Sequence, residues 1–546
     1  MKHCGSQYLD LRFLNNPILL VVRRSITSCE TRPSSSIPVF KRDNPSIRSI
    51  PLIWPIGILF VVLAANAFFL KFNAFRIFVP YDMAPYLDAA WRVLCGQRFY
   101  VDFIFPEAPL HVEMMVVFFR LFGFTKTAIL AHLIVIHSLV IIAVFLMMYR
   151  RVPLFITTMV AVLTAPSFYW TVSHPWHDQS AHFWGVLALA VFLREYPCRD
   201  LRKILIKNWA CGLLTMLSVI TKTNIGVMYA GVFFLAALSE NHKMKAAGAY
   251  LGGILTGLLI SLWLIGAPRD FWQQNLLFVQ GKLYGRTVRF RDIHMWFSNF
   301  YWIPPLVVFI NTAASFVRLK TILILFYGIC AVAILSLMTG GLRGDANILL
   351  WGIQMALAFL VLAQEKIFLR SDWRKRLHLA STVFLLALTL FETITAVHRG
   401  IELKAWYRDP GVKDAQYYRL KSEPLSGWLM PSREGWMLDQ IVEYIKTQVP
   451  SRDTILNLSD FYMIYALTGR ESYRGINYAF FEDVFPMVGK QTADIKKHIL
   501  SHLPDWMIIR VGSFDGEIKA LDLAAEIVTL YHPVQQIGDA LILKRN

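Results

Sequence analysis

Acids and cations crowd into one stretch, residues 80–123, which reads PYDMAPYLDAAWRVLCGQRFYVDFIFPEAPLHVEMMVVFFRLFG. Asp82, Asp88, Asp102, Glu107 and Glu113 fall within it, beside Arg92, Arg98, His111 and Arg120. A helix crossing hydrocarbon does not keep so many ionisable groups, since each costs about 2.5–3.5 kcal/mol at the bilayer centre. The stretch follows the first long apolar run, so it reads as an extracytoplasmic loop at the membrane surface that carries a reactive acid. Asp82, next to Tyr81, is the first candidate. A carboxylate that faces a cavity at the membrane surface stays ionised yet partly desolvated, which sharpens its basicity. It could then take the proton of an acceptor hydroxyl or amine. The plainer alternative is a solvated loop aspartate, or a cap for a helix over 84–94.

Asp102 follows Tyr100 in a segment dense with Phe, where it could bind acceptor hydroxyls, hold a metal, or cap a turn. Glu107 and His111 lie four apart, a spacing that shares a helix face. They could ligate a metal or, more simply, form a surface ion pair. Asp88 is expected to face solvent. Further on, SHPWHDQSAH gathers His174, His177 and Asp178 at the end of an apolar run, with His182 one turn on. These could rim a polar cavity and contact a substrate. Trp176, with Tyr169 and Trp170, fits an interfacial aromatic belt. The histidine order matches no standard zinc pattern, and HPWHD is not HExxH.

Two further places carry cations suited to a phosphate. Lys222 sits in VITKTNIGV, where Thr221, Thr223, Asn224 and Gly226 interrupt an apolar run, as happens where irregular backbone lines a cavity. Arg286, Arg289 and Arg291 fall within YGRTVRFR, and guanidinium forks suit phosphate, although anionic headgroups would satisfy them too. Neither GxxxxGKS nor a strand-framed GxGxxG occurs, so binding of a soluble nucleotide sugar is disfavoured.

The elements that must position these groups are written in the composition. The 546 residues are 56% hydrophobic and 17% charged, with mean hydropathy +0.46. Soluble chains average about 25% charged, so this is a polytopic membrane protein. The net charge of +18 is expected to orient spans and meet anionic lipid. No aromatic-basic nucleic-acid module is present. The six cysteines are scattered, without CxxC, and suggest neither a disulfide framework nor a zinc knuckle. Spans are predicted at about 51–70, 127–149, 152–170, 179–193, 205–221, 225–239, 246–267, 301–317, 320–338, 346–363 and 377–397. A cytoplasmic N-terminus makes every expected inner connection basic, as the positive-inside rule asks. The segment 110–122, interrupted by His111, Glu113 and Arg120, is expected to be a juxtamembrane amphipathic helix and not a span.

Three regions follow from this pattern. Residues 1–50 are expected to be a basic, disordered cytoplasmic tail, and 51–397 the transmembrane part, with external loops at 71–126 and 268–300. Residues 398–546 are expected to form a small extracytoplasmic α/β domain. Within it, 436–447 and 520–529 read as helices, and 454–458, 506–511 and 540–544 as strands.

The run Asp82, Ala89-Ala90, Gly96, Tyr100-x-Asp102-Phe103, Pro109-Leu110 and Phe122-Gly123 resembles the first external loop of GT-C membrane glycosyltransferases. That superfamily includes protein mannosyltransferases, lipid A aminoarabinose transferases and bacterial transferases that decorate lipopolysaccharide cores. The resemblance extends over loop, multispan body and C-terminal domain. It implies a GT-C-like polytopic α-helical protein of about eleven transmembrane helices, in a bacterial inner membrane with its loops and C-terminal domain in the periplasm. It also implies hexosyl or pentosyl transfer from a polyprenyl-phosphate sugar donor to a lipid, glycan or protein acceptor. The family's acid is an Asp just past the first span, often followed by Glu. Here Asp82 matches, Met83 replaces the Glu, and Ala108-Pro109-Leu110 stands for the usual Pro-Pro-Leu.

The resulting expectation makes Asp82 the general base, with Asp102 as a second catalytic candidate. Lys222 and the arginines at 286, 289 and 291 would hold the donor phosphate. Tyr81, Tyr100, Glu107, His111, His174, His177 and Asp178 would line the substrate site. No cofactor is assigned, and a divalent metal stays open. The rival from another class is a transporter or flippase for a lipid-linked or anionic substrate, although matching halves are not visible. An inactive scaffold is a third alternative, since the acid is missing at Met83.

Overall fold

A computed structural model describes residues 51–74, 80–105, 107–170, 174–275, 301–313, 319–340, 350–366, 371–402, 417–459, 461–476, 489–511, 518 and 521–546. The side chains of residues 80–82 lie outside that description, as do the tail 1–50 and the arginines at 286, 289 and 291.

Each of the eleven expected apolar runs contains a helix. The first is α1 (Ile53–Asn73). The polar stretch then supplies α2 (Pro80–Leu94) and α3 (Leu110–Phe122). The body continues with α4 (Lys126–Met148), α5 (Leu154–Ala165), α6 (His177–Arg194), α7 (Leu201–Val219), α8 (Thr223–Leu238) and α9 (Lys243–Ile265). It closes with α10 (Ile303–Thr312), α11 (Lys320–Gly340), α12 (Trp351–Glu365) and α13 (Asp372–Glu402). Among the described residues four of these, α1, α4, α9 and the first 27 residues of α13, are long and apolar enough to cross a membrane. The protein is thus a polytopic helical membrane protein.

Local chemistry sets the helix ends. Thr125 caps α4 by accepting from the Ala128 amide, and Asp200 caps α7 by accepting from the Arg202 amide. Gly266 ends α9 in the left-handed conformation, at φ 64°. The α3 helix is amphipathic as expected. It buries His111, Val112, Met115, Val116 and Phe119 while Val117, Leu121 and Phe122 stay exposed.

Helices α7 and α9 approach through glycine. A Cβ on Gly212 would lie 2.1 Å from the Tyr250 carbonyl oxygen, and one on Gly253 would lie 1.9 Å from that of Trp209. Between helices in lipid, where the hydrophobic effect does not drive association, such small-residue contact supplies the packing attraction.

The C-terminal part is a small α/β unit. A short antiparallel pair, β1 (Tyr417–Arg419) and β2 (Leu429–Pro431), precedes α14 (Ser432–Gln448). Then come β3 (Ile455–Leu458), α15 (Ile464–Thr468), α16 (Gly489–Ser501), β4 (Trp506–Arg510), α17 (Ala524–Leu530), β5 (Tyr531–Ile537) and β6 (Ala540–Arg545). The sheet order is β3-β4-β6-β5, parallel between β3 and β4 and antiparallel elsewhere. β3, β4 and β6 coincide with expected strands. The sequence reading missed β5 because YHPVQQI lacks an apolar period; it is an edge strand whose five central residues are exposed, with a bulge at Pro533.

Gly253→Val is expected to overpack the α7–α9 contact by about 1–3 kcal/mol and lower the thermal midpoint in detergent. Gly252→Ala, whose Cβ would meet only Trp209 Cδ1 at 3.9 Å, should leave it unchanged.

Candidate active site

The site begins with a cation where a helix would not choose one. Lys222 is the N-cap of α8, so its charge stands near the positive end of the helix dipole. Its ammonium pairs with Asp178 Oδ1 and lies 2.6 Å from His177 Nε2. Asp178 is fully buried, in the first turn of α6, where a carboxylate is favoured. Glycine allows the arrangement: a Cβ on Gly226 would fall 2.2 Å from the Val219 amide nitrogen, so α8 can start directly against the end of α7. The Ile220 carbonyl between them accepts the Leu110 amide at 3.1 Å, tying the start of α3 to the same turn.

From Lys222 the hydrogen bonds run across three elements. Tyr86 on α2 donates to Glu107 Oε2 at 2.5 Å, and its hydroxyl also contacts His177 Nδ1. His177 Nε2 faces both the Lys222 ammonium and, at 2.9 Å, Asp178 Oδ1. His177 Nδ1 also lies 3.3 Å from Glu107 Oε2, and its ring stacks on Trp176 at 4.5 Å. His111 Nδ1 meets Ser180 Oγ at 2.9 Å, with its ring 5.1 Å from that of Tyr86. The second Asp178 oxygen and His111 Nε2 are buried without a partner among the described residues.

The positions singled out from sequence therefore divide. Glu107, His111, His177, Asp178 and Lys222 come together, and His174 adjoins them, its ring edge-on to Trp176 at 5.6 Å. Tyr81 and Asp82 are in the first turn and a half of α2, with Asp82 one helical turn before Tyr86. Tyr100 stands behind the cluster: at φ 64° it donates its hydroxyl to the Glu107 carbonyl at 2.6 Å. Asp102 lies apart, binding the Arg98 amide at 2.8 Å, and its carbonyl accepts from the Gly475 amide at 2.7 Å. Arg286, Arg289 and Arg291 lie outside the described residues. Among those described, no three metal-ligating side chains converge.

Three expectations are corrected. Asp88 does not face solvent; it is 2% exposed, bonded through Arg92 Nε at 2.7 Å and Ser472 Oγ at 3.0 Å. Glu107 and His111 are not a surface pair, because Glu107 precedes α3 and both are buried against Tyr86. Trp176 is buried on His177 and not part of an exposed belt. Tyr86 and Ser180 were missed. The four-residue step from Asp82 to Tyr86 within a helix was the available signal.

No protein-family model matches this sequence, and no curated protein matches it. Among solved structures, two crystal structures of ArnT from Cupriavidus metallidurans are similar over 90% of this chain and 97% of theirs. The form bound to undecaprenyl phosphate gives a TM-score of 0.51 at 13% identity, and the apo form 0.53 at 12%. The chain has the GT-C fold. At these identities the likeness is one of fold alone.

Within this GT-C fold Lys222 should act as the cation for the buried Asp178 carboxylate. Lys222→Met leaves that carboxylate with only the His177 imidazole, 2.9 Å away, and is expected to cost about 3 kcal/mol, read as a lower thermal midpoint. Adding Asp178→Asn to it should recover most of that loss. Burial, with His177 beside it, lowers the His174 pKa from 6.5 to about 3. The unfolded chain then takes up a proton near pH 6.5 that the folded chain refuses. Stability falls as the pH drops below that value, by up to about 1.4 kcal/mol per pH unit. His174→Gln is expected to flatten the decline of the midpoint between pH 6.5 and 5.

Proposed function

We propose that this protein is a membrane-embedded glycosyltransferase that moves a hexosyl or pentosyl group from a polyprenyl-phosphate carrier to a lipid, glycan or protein acceptor. The observation that carries the reading is a chain of the GT-C fold whose α2 bears Asp82 one turn from Tyr86, itself bonded into the Lys222 cluster. ArnT, a lipid A aminoarabinose transferase with this fold, has been crystallised with undecaprenyl phosphate, which favours a carrier of that class.

In the proposed step Asp82 takes the proton of the acceptor hydroxyl or amine as that atom attacks the sugar C1. The C1–O bond to phosphate breaks, and its electron pair leaves on the phosphate oxygen. That departing charge needs cations. Lys222 is balanced by Asp178, so one lysine does not suffice; an arginine among 286, 289 and 291 is assigned to share the phosphate with it. Glu107, His111, His177 and Tyr86 hold the inner wall, and Tyr81, Tyr100 and His174 complete the surroundings. Asp102, on the far side of the loop, is assigned a positioning role. The protein is placed in a bacterial inner membrane, with the first loop and C-terminal domain on the periplasmic face.

Transfer from polyprenyl-phosphate sugars, measured with the purified protein in detergent, tests the reading. Asp82→Asn, with unchanged expression and thermal midpoint, is expected to lower transfer by about a hundredfold or more. Full transfer by that variant removes Asp82 as the base. A wild-type protein that moves the lipid across vesicles and transfers no sugar would sustain the flippase reading instead.

A further inference from the structure

The helix α2 is held from two sides. Asp82 and Tyr86 share one face. At 100° per residue, Asp88, Trp91 and Arg92 stand roughly 140–240° round the helix from Tyr86. That opposite face is bound by the C-terminal domain, almost 400 residues away in sequence. Arg92 Nη1 donates to the Tyr473 carbonyl at 2.7 Å and to Gln97 Oε1 at 3.2 Å. Gln97 Nε2 donates to the Ser472 carbonyl at 2.6 Å, and Ser472 Oγ donates to Asp88 Oδ1 at 3.0 Å. Trp91 Nε1 reaches the Arg470 carbonyl at 2.8 Å.

This is an expensive way to join two parts of a protein if adhesion were its only purpose. The Asp88 and Arg92 side chains are each 3% exposed. Desolvating such a pair costs as much as its attraction returns, and apolar residues of similar volume would serve adhesion as well or better. What the pair adds is direction: every donor and acceptor has one register in which it is satisfied. Direction matters at this place because Pro85 lies inside α2 and cannot donate to the carbonyl four residues earlier. The turn that carries Asp82 therefore lacks a helical hydrogen bond and relies on contacts from outside.

We propose that the segment Arg470–Tyr473 of the C-terminal domain is a positioning element for the site, setting the rotation of α2 through Ser472, Gln97 and the Asp88–Arg92 pair. A shift of the C-terminal domain, as when it takes hold of an acceptor, then turns the face bearing Asp82 and Tyr86. The consequence for turnover rests on the proposed reading of Asp82; the consequence for α2 does not.

Removing Arg92 risks losing the fold, so the test uses Ser472→Ala, which deletes one hydrogen bond, and Ser472→Thr, which keeps the hydroxyl. In the full-length protein in detergent, amide hydrogen exchange over 83–94 is expected to quicken about tenfold in Ser472→Ala. It should stay at the wild-type rate in Ser472→Thr, with α9 unchanged in both. In the transfer assay kcat should fall in Ser472→Ala with the donor KM unchanged, and Ser472→Thr should restore it. Unchanged exchange in α2 overturns the proposal. So does faster exchange with an unaltered kcat, which would make the seam adhesive only. A wild-type protein without transfer defeats the glycosyltransferase reading alone, and the exchange result still decides whether the C-terminal domain holds α2.

Discussion

A carboxylate closed off from water needs a cation beside it, and Asp178 in α6 finds one in Lys222 at the start of α8. The pair dictates much of the surrounding geometry. Asp178 must stand in the first turn of α6 and Lys222 at the cap of α8, so the ends of these helices converge. Gly226 lets α8 begin against α7 without a Cβ in the way, and the Ile220 carbonyl draws in the start of α3. His177 joins this pair to the Tyr86 hydroxyl and Glu107 on its other side. A single ion pair on a buried carboxylate thus propagates into an ordered array of donors and acceptors.

The C-terminal domain closes the arrangement from the other side. Its own stability is conventional: β3 and β4 are apolar and buried, and helices cover the sheet. Its contact with the first loop is of another kind, made of a buried ion pair, backbone carbonyls and a serine hydroxyl. The part of the loop that carries Asp88, Arg92 and Gln97 is therefore held in place. Burial pushes the Asp88 carboxyl above its usual range while Arg92 pulls it down, a balance that holds only while both partners stay enclosed.

Several misreadings have one origin. Asp88 was expected in solvent, and Glu107 with His111 on a surface, because carboxylates and histidines are usually exposed. Each is buried here because a partner from far along the chain satisfies it: Ser472 for Asp88, Tyr86 for Glu107, Ser180 for His111. Tyr86 was overlooked for the converse reason, since a tyrosine among charged neighbours carries no sign that its hydroxyl will join acid to imidazole. The edge strand β5 was hidden because an exposed strand needs no apolar alternation.

Hydropathy is a local property, so the helical spans, the polar first loop and the break around Lys222 could all be read from residue order. The amphipathic α3 was legible for the same reason, its period being written in thirteen consecutive residues. Which polar groups meet was not legible. Tyr86 and His177 are 91 positions apart, and Asp88 and Ser472 are 384 apart. A side chain specifies how many hydrogen bonds it must make, but not with whom. Only the packing of the helices and the docking of the C-terminal domain select the partner, because both are settled by contacts distributed over the whole chain.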